Sequence, residues 1–176
     1  YMVESEVEPW SSSYKEMISD SKASYNYSVR GKQSFTELGR DDGTNYNAWN
    51  DDIRAAYYNA IQWYATGDKR HAEKSIEIFN AWKNLQDVTS GGTQALSGGI
   101  VYIMLEAAEI IKSTYDGWSA SDIQDFKDML VYPGYSTTAE PSSISRVSGS
   151  FYWQAYQGDS VRHGNQGLSG FRAVMA

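Results

Sequence analysis

Apolar residues recur with the period of an α-helix across most of residues 50–131, and this feature limits the possible folds more than any other. In residues 50–65, one helical face would carry Ile53, Ala56, Tyr57, Ala60, Ile61 and Tyr64. Gly67 follows this segment, and glycine readily takes the left-handed conformation that ends a helix. A second helix is predicted over residues 69–86, so a short turn would join the two into an antiparallel hairpin.

A second hairpin is predicted over residues 94–131. Residues 94–114 place Ile100, Ile103, Met104, Ala107, Ala108 and Ile111 on one face, and Asp116-Gly117 interrupts the pattern. Ser119 is expected to cap the next helix, which would bury Ile123, Phe126 and Leu130 and end near residues 132–134. Consecutive hairpins without strands predict an all-α fold, either an (α/α) toroid or a helical repeat array.

The C-terminal part of the chain has a different pattern. Residues 135–164 are rich in Ser, Gly and Thr and predict a long loop, which is more often functional or disordered than idle. Residues 168–176 have a helical pattern without a stop signal. We therefore expect residues 1–176 to form a single domain that is the N-terminal portion of a longer toroid. The remainder of the same polypeptide would then complete the functional site.

Composition and charge exclude several classes of function. A net charge of −7 argues against a nucleic-acid partner. The chain has no cysteine, and its two histidines lack metal-ligand spacing, so we predict neither a thiol nucleophile nor a metal or cofactor. No apolar run approaches the ~20 residues that span a bilayer. Residues 141–176 carry three arginines and one aspartate, a basic balance that suits an anionic ligand.

Tyrosine and tryptophan are abundant, with fourteen and six residues against five phenylalanines. Rings with a polar group suit both sugar binding and helix packing, and the sequence leaves the two uses open.

Three segments carry a family resemblance. Residues 56–68 read AYYNAIQWYATGD, residues 98–119 have the pattern of a following hairpin, and residues 163–167 read HGNQG after the long loop. Over residues 45–176, the chain resembles the alginate lyase-like superfamily of polysaccharide lyases, which are incomplete (α/α) toroids. It looks closest to polysaccharide lyase family 38 and is related to family 5.

The resemblance implies a secreted or periplasmic lyase that cleaves a 4-linked polyuronate, such as alginate, polymannuronate or glucuronan, by β-elimination. It carries over one catalytic residue, Asn165, whose amide would neutralise the substrate carboxylate. Asn165 would also serve as an ordinary helix cap. The family 5 motif reads Asn-Asn-His, whereas here Gln166 follows Asn165 and His163 precedes it. The catalytic Tyr, Arg and His of the family are expected outside this chain.

Further candidates follow from residue chemistry, each with a structural alternative. His163 could act as a base or donor, since its pKa is ordinarily near neutrality, or it could be an exposed loop residue. The candidate substrate-binding residues are Gln166, Arg162, Arg146, Trp153, Tyr152, Asn47, Trp49 and Asn50. The arginines could pair with carboxylates, and the rings could stack on sugar or pack the loop. The last three belong to a polar-aromatic cluster that could line a cleft or simply begin a helix.

Two other functions remain open from the sequence. One is glycoside hydrolysis on a related (α/α) toroid, which needs two suitably spaced carboxylates. The adjacent pairs Asp41-Asp42 and Asp51-Asp52 do not provide them, because neighbours on a helix point in different directions. The other is a non-catalytic helical glycan-binding protein. His71 is expected to be a solvated surface residue.

Overall fold

All of the longer elements of secondary structure in the part of the chain that the structure describes are helices. The computed structural model describes residues 5–40, 43–86 and 100–131, together with residues 168, 172, 173, 175 and 176. In these residues it forms helices α1 (Trp10–Ser19), α2 (Tyr46–Thr66), α3 (Lys69–Trp82), α4 (Val101–Thr114) and α5 (Ala120–Val131), and a 3-10 helix at Ser21–Ala23. The only β-type pairing among them is an isolated bridge between Gly39 and Asn45. The predicted all-α fold is confirmed.

Helices α2 and α3 form the first predicted hairpin. Gly67 takes a left-handed conformation with φ of +70°, and its N–H donates to the Trp63 carbonyl at 2.8 Å. The side chain of Asp68 then accepts from the Arg70 amide at 3.1 Å and caps α3. Only two residues separate the helices, and the helices pack together, so they run antiparallel. Helix α3 ends at Trp82, four residues before the predicted end.

Helices α4 and α5 form the second hairpin. Helix α4 begins at Val101, and residues 94–99 of the predicted helix lie outside the described residues. The Ser119 hydroxyl accepts from the Asp122 amide at 3.1 Å, which confirms the predicted cap at the start of α5.

The two hairpins lie side by side, with α2 and α4 in one layer. Tyr102, near the start of α4, is close enough to Tyr57 to contribute to the raised pKa of the Tyr57 hydroxyl. At the other end, Trp63 Nε1 donates to Thr114 Oγ1 at 2.9 Å. Both helices therefore run in the same direction, as the first helices of successive hairpins do in a toroid.

The C-terminal residues continue this layer. Residues 168, 172, 173 and 175 are helical, and Ala173 joins the hydrophobic core. The Arg172 side chain contacts Tyr102, and Ala176 lines a small apolar groove between α4 and α5. From Arg172 to Ala176, the described residues therefore run beside α4 and in the same direction.

Most of the apolar residues predicted to face inward form the core or pack against it. Ile61 is only half-buried and lies outside the core, and Tyr64 is the second exception. The two hairpins share one hydrophobic core, which includes Ile53, Ala56, Ala60, Ala72, Ile78, Phe79, Trp82, Ile103, Met104, Ala107, Ile111 and Phe126. The prediction that Tyr64 lies on the buried face of α2 is wrong, because its side chain is 74% exposed. Trp63 makes the contact with α4 at this level, and the next residue is turned about 100° around the helix axis.

The N-terminal segment packs on α2 through polar contacts. The 3-10 helix contacts α2, and the Asn59 side-chain amide donates to the Lys22 carbonyl at 3.0 Å. The Gln62 amide donates to the Ala23 carbonyl in the same region. Helix α1, which the sequence analysis did not predict, contacts the 3-10 helix and buries only Ser11.

Candidate functional site

Aromatic and charged side chains form a strip across the layer of α2, α4 and the C-terminal residues. We define the aromatic–basic strip as Asn50, Arg54, Tyr57, Tyr102, Glu106 and Arg172. The α2 members are spaced four and three residues apart, so they share one helix face, and Arg54 Nε donates to Asn50 Oδ1 at 3.2 Å. The two α4 members are one turn apart. The strip therefore combines tyrosine rings, two arginines and one carboxylate.

Arg172 forms a cation–π contact with Tyr102. Its Cζ atom is 3.4 Å from the ring centroid, and the residue is exposed to solvent. Among the described residues, no carboxylate is within ion-pair distance of the Arg172 guanidinium. The solvent-exposed arginine is therefore held against an aromatic ring.

Tyr57 is half-buried at the centre of the strip. Burial is the main cause that raises the pKa of its hydroxyl, and the negative charge of Glu106 raises it further, whereas the positive charge of Arg172 lowers it. The hydroxyl therefore stays protonated near neutral pH and can donate a hydrogen bond. Chemically, the strip offers ring faces, a hydroxyl donor, a guanidinium and a carboxylate, which together match a charged sugar.

Three substrate-binding candidates from the sequence lie at the start of α2. Asn47 is exposed and Asn50 is half-buried, so both side chains are accessible to a ligand. Trp49 is fully buried in the hydrophobic core, where its ring has no free face for a sugar. We therefore assign Trp49 to packing. Asn45 takes a left-handed conformation, and its side chain donates to the Glu37 carbonyl at 2.9 Å, so it shapes the entry to the helix.

The other site residues predicted from the sequence lie outside the described residues. These are Asn165, His163, Gln166, Arg162, Arg146, Trp153 and Tyr152. Their roles stay predictions. Residues 135–164, predicted to form a long loop, lie outside the described part as well.

A buried carboxylate, Asp52, joins the N-terminal segment to the first hairpin. Its side chain is fully buried and accepts from Tyr27 Oη at 2.8 Å, the Gly31 amide at 2.7 Å and Trp82 Nε1 at 2.8 Å. The Arg30 amide also donates, at 3.1 Å. Burial is the main cause that raises the pKa of Tyr27, and the bond to Asp52 adds to it. Because donors engage both carboxylate oxygens, Asp52 holds the fold together and is not available to a substrate.

His71 was predicted on the surface, and this prediction is wrong. The residue is only 7% exposed, and its Nδ1 atom is 2.6 Å from Asn59 Oδ1. The Asn59 amide nitrogen is directed at backbone carbonyls, so His71 Nδ1 must be the donor in this pair. Burial is the main cause that lowers the pKa of His71. The misleading signal was the exposed pair Lys69-Arg70, which immediately precedes His71 at the start of α3.

The described ranges contain no group of three or more side chains that could hold a metal ion. None of the helices in these ranges is long and apolar enough to cross a bilayer.

Comparison with known proteins identifies one family. The model of the alginate lyase family matches residues 4–137, well over half of the chain. Neither the curated proteins nor the solved structures yield a match. The matched range contains both helical hairpins and every α2 and α4 residue of the aromatic–basic strip. The chain therefore belongs to the alginate lyase family.

Proposed function

We propose that this protein is a secreted or periplasmic polysaccharide lyase that cleaves a 4-linked polyuronate, such as alginate, polymannuronate or glucuronan, by β-elimination. The observation that carries the proposal is the family match over residues 4–137. The resemblance of residues 163–167 to the motif of polysaccharide lyase families 38 and 5 supports it, as does the aromatic–basic strip, whose groups suit a charged sugar.

The reaction demands stabilisation of a carbanion-like state at C5 of the uronate. A base removes the C5 proton, the electron pair forms the C4–C5 double bond, and the C4–O bond breaks, while the departing oxygen takes up a proton. Hydrogen-bond donors on the C5 carboxylate lower the barrier, because they stabilise the developing negative charge. We assign this donor role to the amide of Asn165, and His163 is the candidate for proton transfer.

The adjacent carboxylates Asp51 and Asp52 do not supply the pair that glycoside hydrolysis needs. A hydrolase needs two carboxylates that face the sugar, one of them free to act on water. Asp52 is buried and engaged by four donors, and its neighbour Asp51 pairs with Arg30 and Lys22. Neither is placed for acid–base work on a glycan.

The proposal is tested with alginate, polymannuronate and glucuronan as separate substrates. A lyase produces one unsaturated uronate for each new reducing end, so ultraviolet absorbance and reducing-end assays should rise together. New reducing ends without absorbance would identify a hydrolase. Unchanged polymer in all three reactions would contradict catalysis on polyuronates. The location is tested separately by immunoblotting of cytoplasmic, periplasmic and culture fractions.

A further inference from the structure

We propose that Arg172, Tyr102, Tyr57 and Glu106 form a binding subsite for one uronic acid unit, in which Arg172 binds the sugar carboxylate. The choice of a polyuronate as ligand rests on the proposed function. The binding chemistry rests on the described side chains alone.

The Tyr102 ring limits the orientations that the Arg172 guanidinium can take. A guanidinium is planar and carries its five N–H donors in that plane. With Cζ only 3.4 Å from the Tyr102 ring centroid, the ring restricts the guanidinium on one side. The donors at its exposed edge are then held in place for a bidentate pair with a carboxylate. Less side-chain entropy is lost on binding than for a freely moving arginine.

A second arginine in the same chain provides the comparison. Arg70 lies over Tyr25, with its Cζ 4.0 Å from the ring centroid. Its Nε atom donates to both carboxylate oxygens of Asp68 at 3.0 Å, and the side-chain hydrogen bond lowers the pKa of Asp68 to about 2. Arg70 therefore has an internal anion, whereas Arg172 has the same aromatic support and no ion pair with a described acid. Because none of the acids that the structure describes occupies the equivalent position at Arg172, this position suits a ligand carboxylate.

The remaining groups of the subsite match the rest of a uronic acid unit. Tyr102 and Tyr57 are both partly accessible, and tyrosine rings can pack against the C–H face of a sugar. Glu106, one turn after Tyr102 on α4, is half-buried and can accept hydrogen bonds from sugar hydroxyls. A negative Glu106 would also disfavour a carboxylate at its own position. The polarity of the subsite thus places the carboxylate at Arg172 and the hydroxyls at Glu106.

The test compares two arginine substitutions on a charged and an uncharged ligand. Arg172→Gln and the matched control Arg70→Gln are made in an Asn165→Ala background, so that the ligand stays intact. Each is titrated by calorimetry with trimeric mannuronate and glucuronate and with their carboxyl-reduced counterparts. Arg172→Gln should raise Kd for the uronate ligand about 10- to 100-fold, the range for loss of a charged hydrogen-bonded pair. It should leave the Kd of the reduced sugar within about twofold, and Arg70→Gln should leave both values unchanged.

Other results would overturn the subsite. An unchanged Kd for the uronate ligand, or an equal loss for charged and reduced ligands, would make Arg172 a packing residue only. If Arg172→Gln loses helical circular dichroism, Arg172→Met is tested instead, because its apolar side chain can still pack on Tyr102. It should show the same rise in Kd for the uronate ligand and the same small change in Kd for the reduced sugar. Lyase activity of the wild-type protein, together with an unchanged Kd for Arg172→Gln, would refute the subsite alone. A selective loss of uronate binding without elimination on any polyuronate would refute the proposed reaction alone.

Discussion

Replacement of Asp52 by alanine should be among the most destabilising single changes in the described part of the chain. The carboxylate accepts hydrogen bonds from Tyr27 Oη, the Arg30 and Gly31 amides and Trp82 Nε1. Trp82 is 1% exposed, so its N–H loses its partner without reaching water, which costs about 1–3 kcal/mol. The other three donors are nearer the surface, so the loss of each of their hydrogen bonds should cost about 0.5–1.5 kcal/mol of unfolding free energy. We expect a total loss of about 3–5 kcal/mol of unfolding free energy, because the contributions are not fully additive.

The measurement is urea unfolding of the whole chain followed by far-ultraviolet circular dichroism. Asp51→Ala is the matched control, since it removes the adjacent carboxylate, which makes partly exposed ion pairs with Arg30 and Lys22. Such pairs contribute at most about 1 kcal/mol. Asp52→Asn should fall between the two, because one oxygen remains an acceptor while the new NH2 group faces donors. A loss for Asp52→Ala within about 1 kcal/mol of the Asp51→Ala value would refute the assignment of Asp52 as the link between segments.

Three further predictions concern His71, Gly31 and Asn165. Burial lowers the folded-state pKa of His71, so its contribution to stability is complete above the unfolded value of about 6.5 and is lost as pH falls toward the folded value. Unfolding free energy should therefore fall more between about pH 7.5 and 5.5 in the wild type than in His71→Gln, and equal falls would contradict this. Gly31→Ala would place a methyl group inside contact distance of the Trp82 indole and should cost about 1–3 kcal/mol in urea unfolding, with a shift in tryptophan fluorescence. Asn165→Asp should keep the melting temperature and reduce kcat on polyuronate about 10²–10³-fold, whereas near-normal turnover would make Asn165 only a helix cap.

Local sequence was enough to predict the helices of both hairpins and several of their ends. Helical periodicity depends only on residues three and four positions apart, so a core face is visible without knowledge of its partner. Gly67 and Ser119 end and begin helices through bonds to atoms within four residues, and both were predicted correctly. Helix α1 was not predicted. Trp10, Tyr14 and Ile18 have helical spacing, but mostly polar residues lie between them, so the segment lacks a wide apolar face.

Burial of polar groups was decided by tertiary structure alone. Asp52 meets Tyr27 and Trp82 across 25 and 30 residues of chain. His71 lies beside two exposed cations in sequence but packs against Asn59 of the preceding helix. A local pattern shows that such residues are polar, and it does not show whether another segment supplies the partners that make burial possible.

The same limit applies to the candidate site. Within the described residues, the closest contact of a cation with a ring joins Arg172 and Tyr102, which are 70 positions apart in the chain. From the sequence, both were predicted to lie in helices, and Arg172 counted only toward the basic balance of residues 141–176, with no specific contact assigned to either residue. The family and its expected chemistry were accessible from short motifs, because each motif is contiguous along the chain. The aromatic–basic strip could not be predicted in this way, because α2, α4 and the C-terminal residues come together only when their apolar faces pack into one core.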